Sequence, residues 1–201
     1  MKGKNCTICL ILIMIVSFSG CGGGGSVGGG GAVYDTVTLR AEPSANTLDS
    51  DVRTHSEPAG PTYCGATDSL GVASDSVDVV ITSQVIPNLP SSITTSAVHV
   101  SKVTVKFSPS NALSPAIPDI SQTLSVFVDP GTAVTVPIRI ADTDLKQSAI
   151  LSELSDCGTG PNAGATYEYF VTLKFEGTEV NSEDPENFEA TLNVRFADFT
   201  D

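Results

Sequence analysis

Phe188-Glu-Ala-Thr-Leu-Asn-Val-Arg-Phe196 decides the fold. Phe188, Ala190, Leu192, Val194 and Phe196 alternate with Glu189, Thr191, Asn193 and Arg195. Successive side chains of an extended strand point to opposite faces, so a strict period of two marks a strand with one face buried and one in water. Upstream, Tyr167, Tyr169, Val171, Leu173 and Phe175 repeat the pattern, as do Val134, Val136, Ile138 and Ile140. Leu124, Val126 and Val128 form a shorter alternation, closed by Asp129-Pro130-Gly131. Val77, Val79, Ile81 and Val85 line one face of 76–86, and Val37 and Leu39 suggest a strand over 33–40.

The stretch 95–107 is predicted as one long strand with an irregularity. Val98 and Val100 share a face, whereas Val103, Val105 and Phe107 occupy the other. A bulge near Ser101 reconciles the two, as would a strand crossing between sheets. Pro137 lacks a ladder donor, which assigns its strand, or that strand's end, to a sheet edge. One helix is predicted over 143–154, with Asp142 as its cap and Leu145, Ala149 and Leu154 spaced for one face.

Seven such strands with turn-rich connections predict an all-β fold, a seven-stranded antiparallel Greek-key sandwich with one short helix before the penultimate strand. In strand number and in its tyrosine-rich penultimate strand, the chain resembles the immunoglobulin and fibronectin type III class. It has no tryptophan, and it lacks the paired core cysteines of antibody domains.

The N-terminus carries a different message. Lys2 and Lys4 precede an apolar run from Ile8 to Phe18, which ends in Phe18-Ser19-Gly20-Cys21. The run is roughly half the 20 residues needed to span a bilayer. It resembles a bacterial lipoprotein signal with its lipobox. That resemblance implies removal of residues 1–20 and acylation of Cys21, including a palmitate-type chain. It also implies a cell-envelope location, at the outer membrane where there are two, because residue 22 is Gly rather than Asp. Cys6 and Cys9 fall inside the removed segment, which argues against a redox or metal role. Residues 21–31 are almost all glycine and read as a flexible linker, leaving 32–201 as the folded domain.

Without residues 1–20 the chain keeps 8 basic and 23 acidic residues, a net of −15. Phosphate backbones and anionic headgroups repel such a domain, which argues against nucleic acid and leaves membrane attachment to the lipid. Carbohydrate sites built on exposed tryptophan are ruled out, since there is none.

Cys64 and Cys157 lie in connections that share one end of a seven-strand Greek-key sandwich. In an oxidising envelope compartment they are expected to form a disulfide. Reactive thiols or a two-cysteine metal site are the alternatives. No catalytic residue is assigned: His55 and His99 are the only histidines, and no hydrolase, phosphate-loop or dinucleotide motif surrounds them. Asp142, Asp144, Glu183, Asp184 and Glu186, with Glu176 and Glu179 in the last connection and Asp49-Ser-Asp51 in the first, are acids on connecting segments and the candidates for Ca²⁺. Phe170 is out of place on the polar face of its strand. The expectation is a lipid-anchored binding or assembly module that contacts another envelope protein. A Ca²⁺-dependent adhesion module and an envelope enzyme are the rivals.

Overall fold

The computed structural model describes residues 30–53, 71–155 and 161–199. Nine strands are present there: β1 (Gly31–Val33), β2 (Val37–Pro43), β3 (Thr47–Asp51), β4 (Asp75–Val85), β5 (Val98–Pro109), β6 (Ile120–Val128), β7 (Ala133–Ala141), β8 (Tyr167–Glu179) and β9 (Pro185–Ala197). They form two sheets, ordered β1-β2-β4-β7 and β3-β9-β8-β5-β6. The inward residues pack between them as one core, from Leu39, Val79, Ile81 and Ile138 on one side to Val105, Val171, Leu173 and Leu192 on the other. Phe107, Tyr169 and Phe196 meet near one end with ring centroids 5.8 to 6.3 Å apart. Phe175 stacks on Phe188 at 5.0 Å toward the other. The fold is an all-β sandwich.

The long alternating segments adopt the expected strands because each has a complete apolar row to bury. The bulge is present: the register of β5 shifts between Val100 and Lys102 against both β6 and β8. Val98 and Val100 before it, and Val103 and Val105 after it, are all buried. Pro137 does lie on an edge strand, β7.

Four expectations need correction. The predicted strand over 33–40 is two strands, because the chain reverses between Val33 and Val37, with Tyr34 N–H donating to the Val37 carbonyl at 2.8 Å. The reversal buries Tyr34 and lets Thr36 reach Glu179.

The strand count rises for a second reason, β3, whose Thr-Leu-Asp-Ser-Asp sequence shows no apolar alternation. After Pro43 the chain leaves the first sheet, and β3 pairs parallel to β9 in the second. The sandwich is therefore not purely antiparallel.

The helix is also interrupted: α1 covers only Thr143–Lys146, followed by a separate 3-10 turn at Ser152–Leu154. Lys146 and Leu151 are both buried. Five residues apart on one helix they would point about 140° from each other, so burying both breaks it. Asp142 nevertheless caps α1, its Oδ1 accepting the Leu145 N–H at 2.8 Å.

Finally, Gly30 and Gly31 belong to the fold rather than to a linker reaching residue 31. Gly30 N–H donates to Glu189 O at 2.7 Å. A Cβ on Gly31 would lie 2.9 Å from the Leu39 carbonyl oxygen, so close pairing with β2 requires glycine there.

Candidate interaction face

The outer face of the five-stranded sheet collects most of the polar alternation of β5, β8 and β9. Cross-strand register arranges it in rows. Asp49, Arg195 and Glu168 form one row across β3, β9 and β8. Thr47, Asn193, Phe170 and Ser108 form the next. Lys174 stands between Thr104 and Glu189, and Lys102 opposite Glu176.

Arg195 grips Asp49 with both arms of its guanidinium, Nε to Oδ1 and Nη2 to Oδ2, each at 2.7 Å. Two parallel charge-assisted bonds fix the plane of the guanidinium. The hydrogen bond and charge of Asp49 hold the Arg195 pKa above its ordinary value, with Glu168 adding to the effect. Beside this pair Phe170 is 43% exposed. Together with Thr47, Ser110 and Asn193, these side chains line an open depression of about 460 Å³. A second depression, about 440 Å³, lies between Lys102, Lys106, Asp119, Lys174 and Glu176.

At the far end of the same face, His99 stacks on Phe127, ring centroids 4.6 Å apart and planes 21° from parallel. Phe127 is 59% exposed. The His99 Nε2 is buried and makes no hydrogen bond among the described residues. His99 is thus held by stacking, with no hydroxyl or carboxylate arranged on that nitrogen.

Two buried polar clusters pin the ends of the sandwich. At the end where β3 and β9 finish, Lys146 reaches inward from α1. Its Nζ lies 2.7 Å from Asp75 Oδ2 and donates to the Asp51 carbonyl at 2.6 Å. Ser50 donates its hydroxyl to the same Asp75 oxygen. At the opposite end Glu179 is fully buried on β8. It accepts Thr36 N–H at 3.2 Å, the Thr36 hydroxyl, and Ser96 Oγ at 2.9 Å. Nearby, burial pushes the Tyr34 phenol pKa up, and the charges of Glu186 and Glu179 push it further. Both clusters join one sheet to the other.

The candidate Ca²⁺ residues are not brought together. Asp142 is occupied as the cap of α1, and Asp144 is exposed in its first turn. Glu183, Asp184 and Glu186 are exposed around the β8–β9 hairpin, at the opposite end of the strands. Among the described residues no three His, Cys, Asp or Glu side chains converge as a metal site.

Cys21, Cys64, Cys157 and His55 lie outside the described residues. The ends of the two segments that contain Cys64 and Cys157 are described. Arg53 and Val72 share a depression of about 220 Å³ with Lys146, Gln147 and Ser152. Both connections therefore depart from the same end of the sandwich.

The Asp49–Arg195 clamp was not legible in the sequence, where Asp49 stands only as a loop acid. The parallel pairing of β3 with β9 is what creates it. Comparison with known protein families, with characterised proteins and with solved structures finds no match for this chain.

Proposed function

We propose that this chain is a lipid-anchored envelope protein whose sandwich binds another envelope protein through the outer face of its five-stranded sheet. The observation that carries this reading is the exposed ring of Phe170 beside the two-armed Arg195–Asp49 pair, in an open depression on that face. An aromatic ring flanked by a fixed guanidinium supplies apolar contact and directional hydrogen bonding together, the combination enriched at protein interfaces. The open depression suits a protein surface better than a small substrate enclosed for chemistry.

The anchor rests on the resemblance of residues 1–21 to a lipoprotein signal. Residues 22–29 would then tether the domain with an r.m.s. reach of about 16 Å. Pairing of Cys64 with Cys157 is supported by the shared end from which their connections depart.

The test places a photo-crosslinking residue at Phe170 in the full chain in intact cells, with Val85, 44% exposed on the other sheet, as control. A defined protein adduct from position 170 and none from position 85 is expected; equal adducts from both, or none from 170, would remove the reading. Labelling with a palmitate analogue should be lost in Cys21→Ser, and persistence of the label would overturn the anchor. Recovery of two free thiols from Cys64 and Cys157 on non-reducing peptide mapping would overturn the disulfide.

A further inference from the structure

The two sheets have four edges, and they are not equally defended. An exposed edge presents unpaired backbone donors and acceptors, which native sheets blunt with shortness, charge or proline. β1 has only three residues. β3 has five, two of them Asp49 and Asp51. β7 carries Pro137 and Arg139, and the backbone of Arg139 is already occupied: its N–H donates to Gln122 Oε1 at 3.2 Å and its carbonyl accepts Gln122 Nε2 at 2.6 Å. β6 supplies that Gln122 side chain, so it touches β7 at this point, but it differs from all three in composition. Its nine residues, Ile-Ser-Gln-Thr-Leu-Ser-Val-Phe-Val, include neither a charge nor a proline, and among the described strands it pairs with β5 alone.

The core is also incomplete along this edge. Val98, Val100, Val103 and Val105 of the neighbouring β5 are fully buried. Ile120, Leu124 and Val126 of β6 are only partly buried against the core. An added strand would cover their flank while satisfying the backbone groups that no described strand pairs.

We propose that β6 is the docking edge for an extended strand of a partner protein, apolar on its inward face and basic at both ends. Exposed Asp119 and Asp129 immediately flank the strand and set the charge preference; Lys106 Nζ stands 4.0 Å from Asp119 Oδ2, a contact too long and too exposed to cancel that charge. A second copy of this chain fits worse. Antiparallel self-pairing brings Asp119 of each copy toward Asp129 of the other, and parallel pairing sets like against like. Each copy also carries a formal charge of −13. Main-chain bonds supply affinity in such strand addition, and alternate side chains with flanking charges supply selectivity. The proposal rests on the binding reading above but does not use the Phe170 depression.

The probe is a synthetic peptide of alternating valine and threonine with lysine at each end, titrated against the full chain by fluorescence anisotropy. It should bind, and hydrogen exchange should slow in Ile120–Val128. Glutamate in place of both lysines should weaken binding by at least about tenfold. N-methylation of alternate backbone nitrogens should do the same in one of its two phases, because it removes ladder donors without touching the protein. The Asp119→Lys, Asp129→Lys double variant should reverse the charge preference. Equal binding of all peptides, no binding at millimolar peptide, protection confined to other strands, or reversible dimerisation through β6 would each overturn the proposal. Peptide binding with no crosslink at Phe170 removes the face and keeps the edge; a crosslink without peptide binding does the reverse.

Discussion

Lys146 Nζ sits 2.7 Å from Asp75 Oδ2, and through its second bond to the Asp51 carbonyl one ammonium ties α1 to both sheets. The Lys146 side chain is 1% exposed and that of Asp75 22%. An ammonium removed this far from water needs its partners, and so does the carboxylate once the ammonium is gone.

Lys146→Ala should therefore destabilise the fold by about 3 kcal/mol, the lower end for breaking a buried pair, because Asp75 keeps some contact with water. Lys146→Met should cost less, since it retains the buried stem. Urea unfolding checks both, and a loss below about 1 kcal/mol for the alanine variant would mean the pair is only incidental.

Glu179 at the other end accepts from the Thr36 N–H, the Thr36 hydroxyl and Ser96 Oγ, and none of these donors is basic. Glu179→Ala strands the Thr36 N–H and the Ser96 hydroxyl, which should cost about 1–3 kcal/mol. Combining it with Thr36→Val should cost less than the sum of the two single changes, because they remove one shared network. Strict additivity in the same unfolding assay would argue against the network.

Gly177 is glycine because Tyr34 fills its space. A Cβ there would fall 2.8 Å from the Tyr34 hydroxyl oxygen and 3.1 Å from Val98 Cγ1. Gly177→Ala should destabilise by about 1–3 kcal/mol, as overpacking does in a filled core. Tyr34→Phe removes the nearest atom and should restore part of that loss. A Gly177→Ala chain as stable as the parent would contradict the packing.

Alkaline pH should unfold the domain through its tyrosines. Burial, reinforced by the hydrogen bond to Glu153, pushes the Tyr167 pKa up to about 12 from 10.0. Burial raises Tyr34 and Tyr169 as well. A phenol with a higher pKa in the folded state stabilises it fully below pH 10, and that contribution is lost between pH 10 and 12 as the folded group ionises. The melting temperature should fall steeply across this window. Tyrosinate absorbance from these three residues should appear together with unfolding. Normal ionisation of all three near pH 10 with the fold intact would refute their burial.

Much of the strand framework was legible because alternation is a local signal. β8 and β9 announce themselves, each with a full apolar row and a polar row. The valines on either side of Ser101 swap rows, which calls for a bulge or a crossing between sheets, and the register shift of β5 shows it to be the bulge. Pro137 and Asp142 act through their own backbone and side-chain chemistry, and both sit where that chemistry requires. β3 stayed hidden because its inward residues are Leu48 and Ser50, and a buried serine gives no hydrophobic period. The helix expected over 143–154 stops at Lys146 because that lysine, which by type belongs in water, turns inward to Asp75.

By itself, the sequence determined that the long alternating segments are extended, where one of them changes face, and that the strand carrying Pro137 lies at a sheet edge. Only the tertiary structure decided that β3 runs parallel to β9, that Asp49 meets Arg195 across 146 residues, and that β6 is the last strand of its sheet among the described residues. The physical reason is that a period of two reports which side of a strand is buried, and says nothing about the strand that lies next to it. Neighbours are chosen by closing the core, and that choice joins residues whose local sequences carry no trace of each other.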